Sequence, residues 1–463
     1  MSRQIILTVP PRMWRQFRET LLSARQNGTE EVIGFLFCRQ QHLSRRKRRL
    51  LANSWVVPMS DCYASQGIGG LALRQEFHLE LLRRYAGTGM DIVHVHTHPG
   101  RFTPSFSGID DVAERQYSRF LARLPGRPRL TSCVFDENLH VGSFRHWRPE
   151  GVVAKDRVVF SAQWLEGHSR RNRGSSVPER FDRQRVFGRG FHESLQSLRV
   201  GLVGCGGIGA CFAEQLSRLG VRRWVLVDPD RLETSNLNRL PAATEQMVRE
   251  NWPKVRYIDR LIHLSWPKGA EIRSVCDSIQ SKMAQDDLAR CDLLITATDN
   301  HYSRMLCQEL ALRLMKPLLC LGTQIEVSET DNSCRILSRI TVPPLGGGWC
   351  LMCGDIISAN LAALEMAPSQ ITDSVRAAGY VPGVAAPAVY WANSCCASLG
   401  VYVVHGTLCG LLDLTDGIDW VMEYGQKRWL QVSHEDTDDC FYCSAAKDRA
   451  KVGGNRLSVS LTT

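Results

Sequence analysis

A glycine-rich turn, Gly204-Cys-Gly206-Gly207-Ile-Gly209, follows the apolar run Val200-Gly-Leu-Val203 and opens a stretch of helical periodicity. Few features constrain a fold as tightly. Glycines there let the chain bend sharply, let a helix pack close to its strand, and turn backbone amides toward a phosphate at the helix N-terminus. Trp224-Val-Leu-Val227 and Leu293-Leu-Ile-Thr296 are further short apolar runs alternating with helices. They read as buried parallel strands of a doubly wound α/β sheet. Asp228 ends one of them, where a carboxylate accepts from ribose hydroxyls. That much fits a dinucleotide. Asn236, Arg239 and Lys254, however, supply polar and cationic groups suited to a triphosphate, which NAD lacks. Asp299, just beyond the third strand, is placed to hold Mg2+. ATP therefore fits the pattern better than NAD.

The first third of the chain has a different character. Between Gln4 and about Arg148, strand-like runs such as Val32–Phe37, Ile92–His96 and Leu130–Phe135 alternate with helical stretches, as in a separate α/β domain. His96 and His98 sit two apart, so both side chains project from the same side of a strand end, and Pro99 stops the strand. Two imidazoles with the carboxylate of Asp110 make a three-residue zinc set that leaves one tetrahedral position open. Such a site also requires a separate carboxylate as general base, and Glu31 opens an early strand within reach.

With 463 residues, the chain exceeds one ordinary core. Its 44% apolar and 22% charged residues are those of an average globular protein. No run approaches the roughly 18 apolar residues of a membrane span, and the start lacks a signal-peptide core, so a cytoplasmic protein without membrane partners is expected. The net charge of +10 is concentrated in Arg45-Arg-Lys-Arg-Arg49 and Arg170-Arg-Asn-Arg173. These clusters read as solvated hairpin tips or linkers, which argues against a nucleic-acid surface and leaves an acidic protein partner open.

Most of the 17 cysteines stand singly in apolar segments, as reduced core residues do. Four do not. Cys350-Leu-Met-Cys353 and Cys440-Phe-Tyr-Cys443 are two CxxC turns that together complete a closed, tetrahedral structural zinc shell. Cys395 and Cys396 lie in an apolar run that reads as a packed helix, and Cys205 within the glycine turn reads as close packing.

Two family resemblances follow from these residues. Glu31-x-x-Gly-x-Leu, His96-Thr-His98-Pro99 and Ser107-Gly-Ile-Asp110 resemble the JAB/MPN metallopeptidases with the JAMM motif, which cleave peptide or isopeptide bonds after ubiquitin-like proteins. The loop before Asp110 is one residue longer than usual there. That resemblance implies zinc on His96, His98 and Asp110, water activation by Glu31 and oxyanion stabilisation by Ser107. Residues 180 to about 446 resemble the ThiF/MoeB and ubiquitin-activating enzymes through Arg180-Phe-Asp-Arg183-Gln184, the glycine turn, Asp228-x-Asp230, Ser235-Asn-Leu-Asn-Arg239, Pro253-Lys254 and Ala297-Thr-Asp299-Asn300 with Arg304. This second resemblance implies a Rossmann-like adenylation domain that activates the C-terminal glycine of a ubiquitin-like or sulfur-carrier protein with ATP and Mg2+. Gly204, Gly206, Gly207, Gly209, Asp228, Asp230, Asn236, Arg239, Lys254 and Asp299 would bind nucleotide or metal, and Arg183 would reach the phosphates across a homodimer interface.

The expected organisation is a JAB/MPN-like domain over 1–150, a linker over 151–179, the adenylation domain over 180–446 and a flexible tail over 447–463. The fusion resembles bacterial ubiquitin-like modification systems, some linked to antiviral defence, with a conjugating enzyme as a further partner. Sulfur-carrier activation for cofactor or cysteine synthesis is the alternative, as is an N-terminal domain that only docks the carrier. Relatives often transfer the acyl group to a cysteine after the first zinc pair, yet none occurs from Asp355 to Ser394.

Overall fold

The computed structural model describes residues 4–25, 30–44, 47–68, 70–100, 103–165, 177–328, 333–367, 387–436 and 440–443. The tail after 447 and the cluster at 170–173 lie outside these residues. Two compact units divide the chain, the first running to Gln163 and the second from Trp164.

Among the described residues, the first unit contains nine strands: β1 Gln4–Thr8, β2 Ile33–Ser44, β3 Lys47–Val56, β4 Tyr63–Gly67, β5 Gly70–Leu73, β6 Asp91–Thr97, β7 Leu130–Phe135, β8 Gly142–His146 and β9 Arg157–Ser161. Seven form a mixed sheet in the order β8-β7-β6-β2-β3-β1-β9, and β4 pairs with β5. The helix Pro11–Ser23 buries Trp14, Phe17 and Leu21, a spacing of three and four that lines one helical face. A Cβ on Gly34 would lie 2.7 Å from the Phe17 ring, so this glycine lets the helix approach β2. On another cluster, Phe35, Phe37, Ile92 and Trp147 pack with Leu81 and Leu121 from the helices Gln75–Tyr85 and Gly108–Leu121. The latter helix thereby lies near the face of β6 that carries His94 and His96.

Two sequence expectations change here. The stretch 151–179 is not a linker throughout, because β9 pairs in parallel with β1 and completes the first sheet. Arg48 and Arg49 are not solvated tips: they begin β3 and are only 5% and 6% exposed. Arg48 lies beside His146 and Asp156, so part of the basic cluster is interior polar structure.

In the second unit, β10 Arg199–Val203, β11 Arg223–Val227, β12 Glu271–Val275, β13 Leu293–Thr296, β14 Leu318–Val327, β15 Cys334–Val342, β16 Ile418–Glu423 and β17 Arg428–Gln431 make one sheet. Its order is β12-β11-β10-β13-β14-β15-β16-β17. The five strands β10 to β14 run parallel, with the chain winding from β10 to β12 on one side and returning through β13 on the other. A crevice forms where that direction reverses, at the C-terminal ends of β10 and β13, and ligands of open α/β sheets bind in such crevices. The doubly wound reading covers these five strands. Beyond them, β15 to β17 add an antiparallel extension that the sequence reading did not include. No described helix is long and apolar enough to cross a membrane.

Candidate nucleotide site and metal centres

The glycine turn leaves β10 and enters the helix Gly207–Leu219 at the switch point. Gly204 and Gly209 each have a steric reason. Gly204 has φ of 95°, and a Cβ would sit 2.7 Å from the Ala297 backbone, which belongs to the segment after β13. On Gly209 a Cβ would fall 2.0 Å from the Gly204 carbonyl oxygen. Gly206 faces open space, with nothing within 4 Å of such an atom. That is the geometry of a backbone cradle with room above it for a bulky anion.

Asp228 ties the cradle to the end of β11. Its two carboxylate oxygens accept from the amides of Cys205 at 2.7 Å and Asp230 at 2.8 Å. Burial raises its pKa, opposed by those amides and by Lys254. Each oxygen keeps a further lone pair for a hydroxyl donor. Asn236 is 5% exposed and accepts from the Glu233 amide, closing the short turn Thr234–Asn236. This turn presents Arg239, whose guanidinium is steadied by the Ser235 carbonyl and Asn238 and whose stem lies against Gly207.

Lys254 begins the helix Lys254–Ser265 and donates to Asp230 at 2.7 Å. Burial would favour its neutral form, but Asp230, Asp228 and Asp299 outweigh it and hold the ammonium above the ordinary lysine value. Asp299 is exposed at the end of β13, beside Asn300, which caps the helix His301–Leu314. Arg304 donates to the Thr298 carbonyl and fixes that corner. Arg183 stands apart: it is exposed on the turn Glu179–Phe187, whereas Arg180 is engaged by the Ser265 carbonyl and the Trp266 ring.

One neighbour of the cradle was missing from the sequence reading. Asn393, on the helix Tyr390–Leu408, is 3% exposed and places its Nδ2 only 2.3 Å from where a Gly207 Cβ would stand. No local spacing signals it, because the contact joins two distant segments. The adjacent cysteines also divide: Cys396 is buried, as a packed helix requires, but Cys395 is exposed. Cys205 is buried and its thiol pKa is pushed up by desolvation.

In the first unit, the His96 and His98 imidazoles each bring Nε2 to the Asp110 carboxylate, at 3.3 and 3.4 Å. The three ligand atoms lie within 4.8 Å of one another. Ser-x-x-Asp acts locally as a capping box. The Ser107 oxygen accepts from the Asp110 amide at 3.2 Å, while Asp110 Oδ2 accepts from the Ser107 amide at 2.6 Å. Ser107 thus holds the helix start, and with it Asp110, a role the sequence reading did not give it. Burial opposes ionisation of Asp110, yet the adjoining His96 and His98 imidazoles keep its carboxyl well below the usual range.

His96 is kept neutral by burial, and its buried ring nitrogens have no satisfactory hydrogen-bond geometry to protein. Orphaned imidazole nitrogens facing a carboxylate fit a divalent cation of the zinc class. Glu31 lies outside the ligand set but close enough to feel His98 and Asp110, and burial raises its pKa. Behind the ligands, Glu114 accepts from Arg145 at 2.8 Å and Trp147 at 3.0 Å and faces His94 at 3.3 Å. Burial opposes its ionisation, but His94 above all, with Ser132 and Arg145, holds it down to about 2.

The four cysteines converge as well. Sγ separations are 3.6 Å for Cys350–Cys353, 3.8 Å for Cys350–Cys440 and 3.4 Å for Cys353–Cys443. A tetrahedron with metal–sulfur bonds of about 2.3 Å has edges of about 3.8 Å, so the donor set fits zinc. The Cys350 thiol is pulled down to about 5, chiefly by the hydrogen bond from Cys443.

Residues 181–377 match the ThiF family. The sulfur carrier protein ThiS adenylyltransferase of Bacillus subtilis is 27% identical over 206 residues, covering 42% of this chain and 60% of that protein. The sulfur carrier protein adenylyltransferase of Thermus thermophilus is 31% identical over 30% of this chain and 52% of its own length. Ubiquitin-like modifier-activating enzyme 6 of Mus musculus is 28% identical over 33% of this chain and 15% of its own. The chain thus spans less than two thirds of each of these relatives, and the family match does not extend over the first unit. Over residues 181–377, the sheet order and the glycine cradle thus stand beside a similarity to the ThiF family.

Proposed function

We propose that the second unit adenylates the C-terminal glycine of a ubiquitin-like or sulfur-carrier protein, and that the first unit is a zinc-dependent peptidase that trims or releases the same carrier. The observation that supports the first part is proximity at the switch point: Asp228 binds the glycine turn beside the open face of Gly206, Lys254 senses Asp228, Asp230 and Asp299, and the Arg239 stem lies against Gly207. ATP would lie with its ribose toward Asp228 and its phosphates over the cradle. A carrier carboxylate oxygen then attacks the α-phosphorus, forming the acyl–AMP bond while the bond to the β-phosphate oxygen breaks and pyrophosphate leaves. Little covalent participation by protein is needed, since positioning and charge neutralisation lower the barrier. Mg2+ at Asp299 would add to that neutralisation. Exposed Arg183 is suited to reach the phosphates of a second copy in a homodimer.

For the first unit, the support is the three-ligand cluster with Glu31 beside it and outside it. Zinc held by His96, His98 and Asp110 would supply Lewis-acid polarisation of the scissile carbonyl. Glu31 would take the proton of the attacking water, Asp110 would be kept in place by its cap with Ser107, and the Ser107 hydroxyl would face the developing oxyanion. The four-cysteine cluster, closed and without an open position, would hold a structural zinc. Replacing Cys350 with Ser is expected to remove one zinc equivalent by metal analysis and to lower the melting temperature by roughly 10 °C; unchanged zinc content would rule the metal out there.

ATP–pyrophosphate exchange tests the main proposal. Exchange should require a carrier ending in glycine and vanish when its last residue is deleted. Exchange without a carrier, or none with any glycine-ended carrier, would refute it. The names of the bacterial relatives favour a sulfur carrier as the second reading. A thiocarboxylate on the carrier would support that reading, and lysines bearing carrier remnants would support conjugation, with a conjugating enzyme as partner.

A further inference from the structure

We propose that Asn393 is a phosphate-binding residue of the nucleotide site, its side-chain amide donating to the α-phosphate held at the glycine cradle; the inference rests on the adenylation reading above. Asn393 projects from the helix Tyr390–Leu408 onto the first turn of the helix Gly207–Leu219. Its Oδ1 accepts from the Thr323 hydroxyl at 3.0 Å, which fixes the orientation of the amide plane. The Nδ2 end therefore points the other way, to Gly207, and donates to no described residue.

The residue is only 3% exposed, yet its Nδ2 is not among the fully enclosed side-chain atoms, so this end of the amide keeps access to a ligand seated on the turn. Here the unmatched donor adjoins a turn whose own amides and open face at Gly206 form an anion cradle, with Arg239 along its other wall. A phosphate oxygen would satisfy it. A neutral amide also suits this depth, since a buried ammonium would be desolvated at much greater cost. The arrangement further explains Gly207: an alanine there would drive its Cβ into Nδ2.

The test compares ATP, AMP and adenosine binding to the full chain at equilibrium. Asn393→Ala should weaken ATP and AMP about 10- to 100-fold, the range for a hydrogen bond to a charged group, and leave adenosine within about twofold. Asn393→Asp, which keeps the shape and the Thr323 bond, should weaken AMP at least as much by repulsion. Thr323→Val, which only frees the amide plane, should weaken AMP by a few fold. Unchanged AMP affinity in folded Asn393→Ala or Asn393→Asp protein, or equal losses for AMP and adenosine, would overturn the assignment. Failure of the unaltered chain to bind ATP or AMP would instead overturn the adenylation reading beneath it.

Discussion

Lys254→Ala is expected to lower carrier-dependent ATP–pyrophosphate exchange by at least about 100-fold, the scale on which removing one preorganised charge-stabilising group slows catalysis. Two effects add. The substitution would remove the ammonium proposed to face the phosphates, and it would leave them to Asp230, Asp228 and Asp299, whose negative field Lys254 now balances. Lys254→Arg keeps the charge while misplacing it, so partial activity is expected. Carrier binding measured without nucleotide should change little in both variants. Full exchange activity in Lys254→Ala would remove the residue from the mechanism.

The second large effect belongs to the first unit. Glu31→Gln should reduce cleavage of a carrier fused through its terminal glycine by about 100- to 10,000-fold, the usual contribution of a general base. Zinc content should stay unchanged, because Glu31 lies outside the ligand triad. Asp110→Asn separates the two roles: it should lose both cleavage and metal, since it weakens a ligand that two imidazoles share. Cleavage that survives Glu31→Gln would remove Glu31 from the mechanism, and no cleavage by the unaltered chain would leave this unit as a docking module for the carrier.

What could be read in the sequence was what local spacing decides. Two residues apart on a strand end put His96 and His98 on one side, and each CxxC folds on a single turn. The glycine turn after an apolar strand likewise implied its crevice. What escaped the reading depends on contacts between distant segments. Asn393 meets Gly207 only because two helices pack across the second unit. Glu114 meets Arg145 and Trp147 only through a neighbouring strand. β9 looked like a linker because its partner, β1, opens the described chain, and Arg48 and Arg49 looked solvated because composition does not report which charges a curved sheet encloses. The antiparallel extension ends in β17, where Trp429 is exposed, which blurs the alternation that marks a half-buried sheet.

The most direct test is to mix the full chain with a glycine-ended carrier and ATP labelled at the α-phosphate, quench in acid, and weigh the carrier by mass spectrometry. The account predicts labelled AMP joined to the carrier's terminal carboxylate, formed with release of pyrophosphate and absent when the terminal glycine is removed. Label released only as free nucleotide while the carrier keeps its original mass, or a site that binds NAD in preference to ATP, would contradict it.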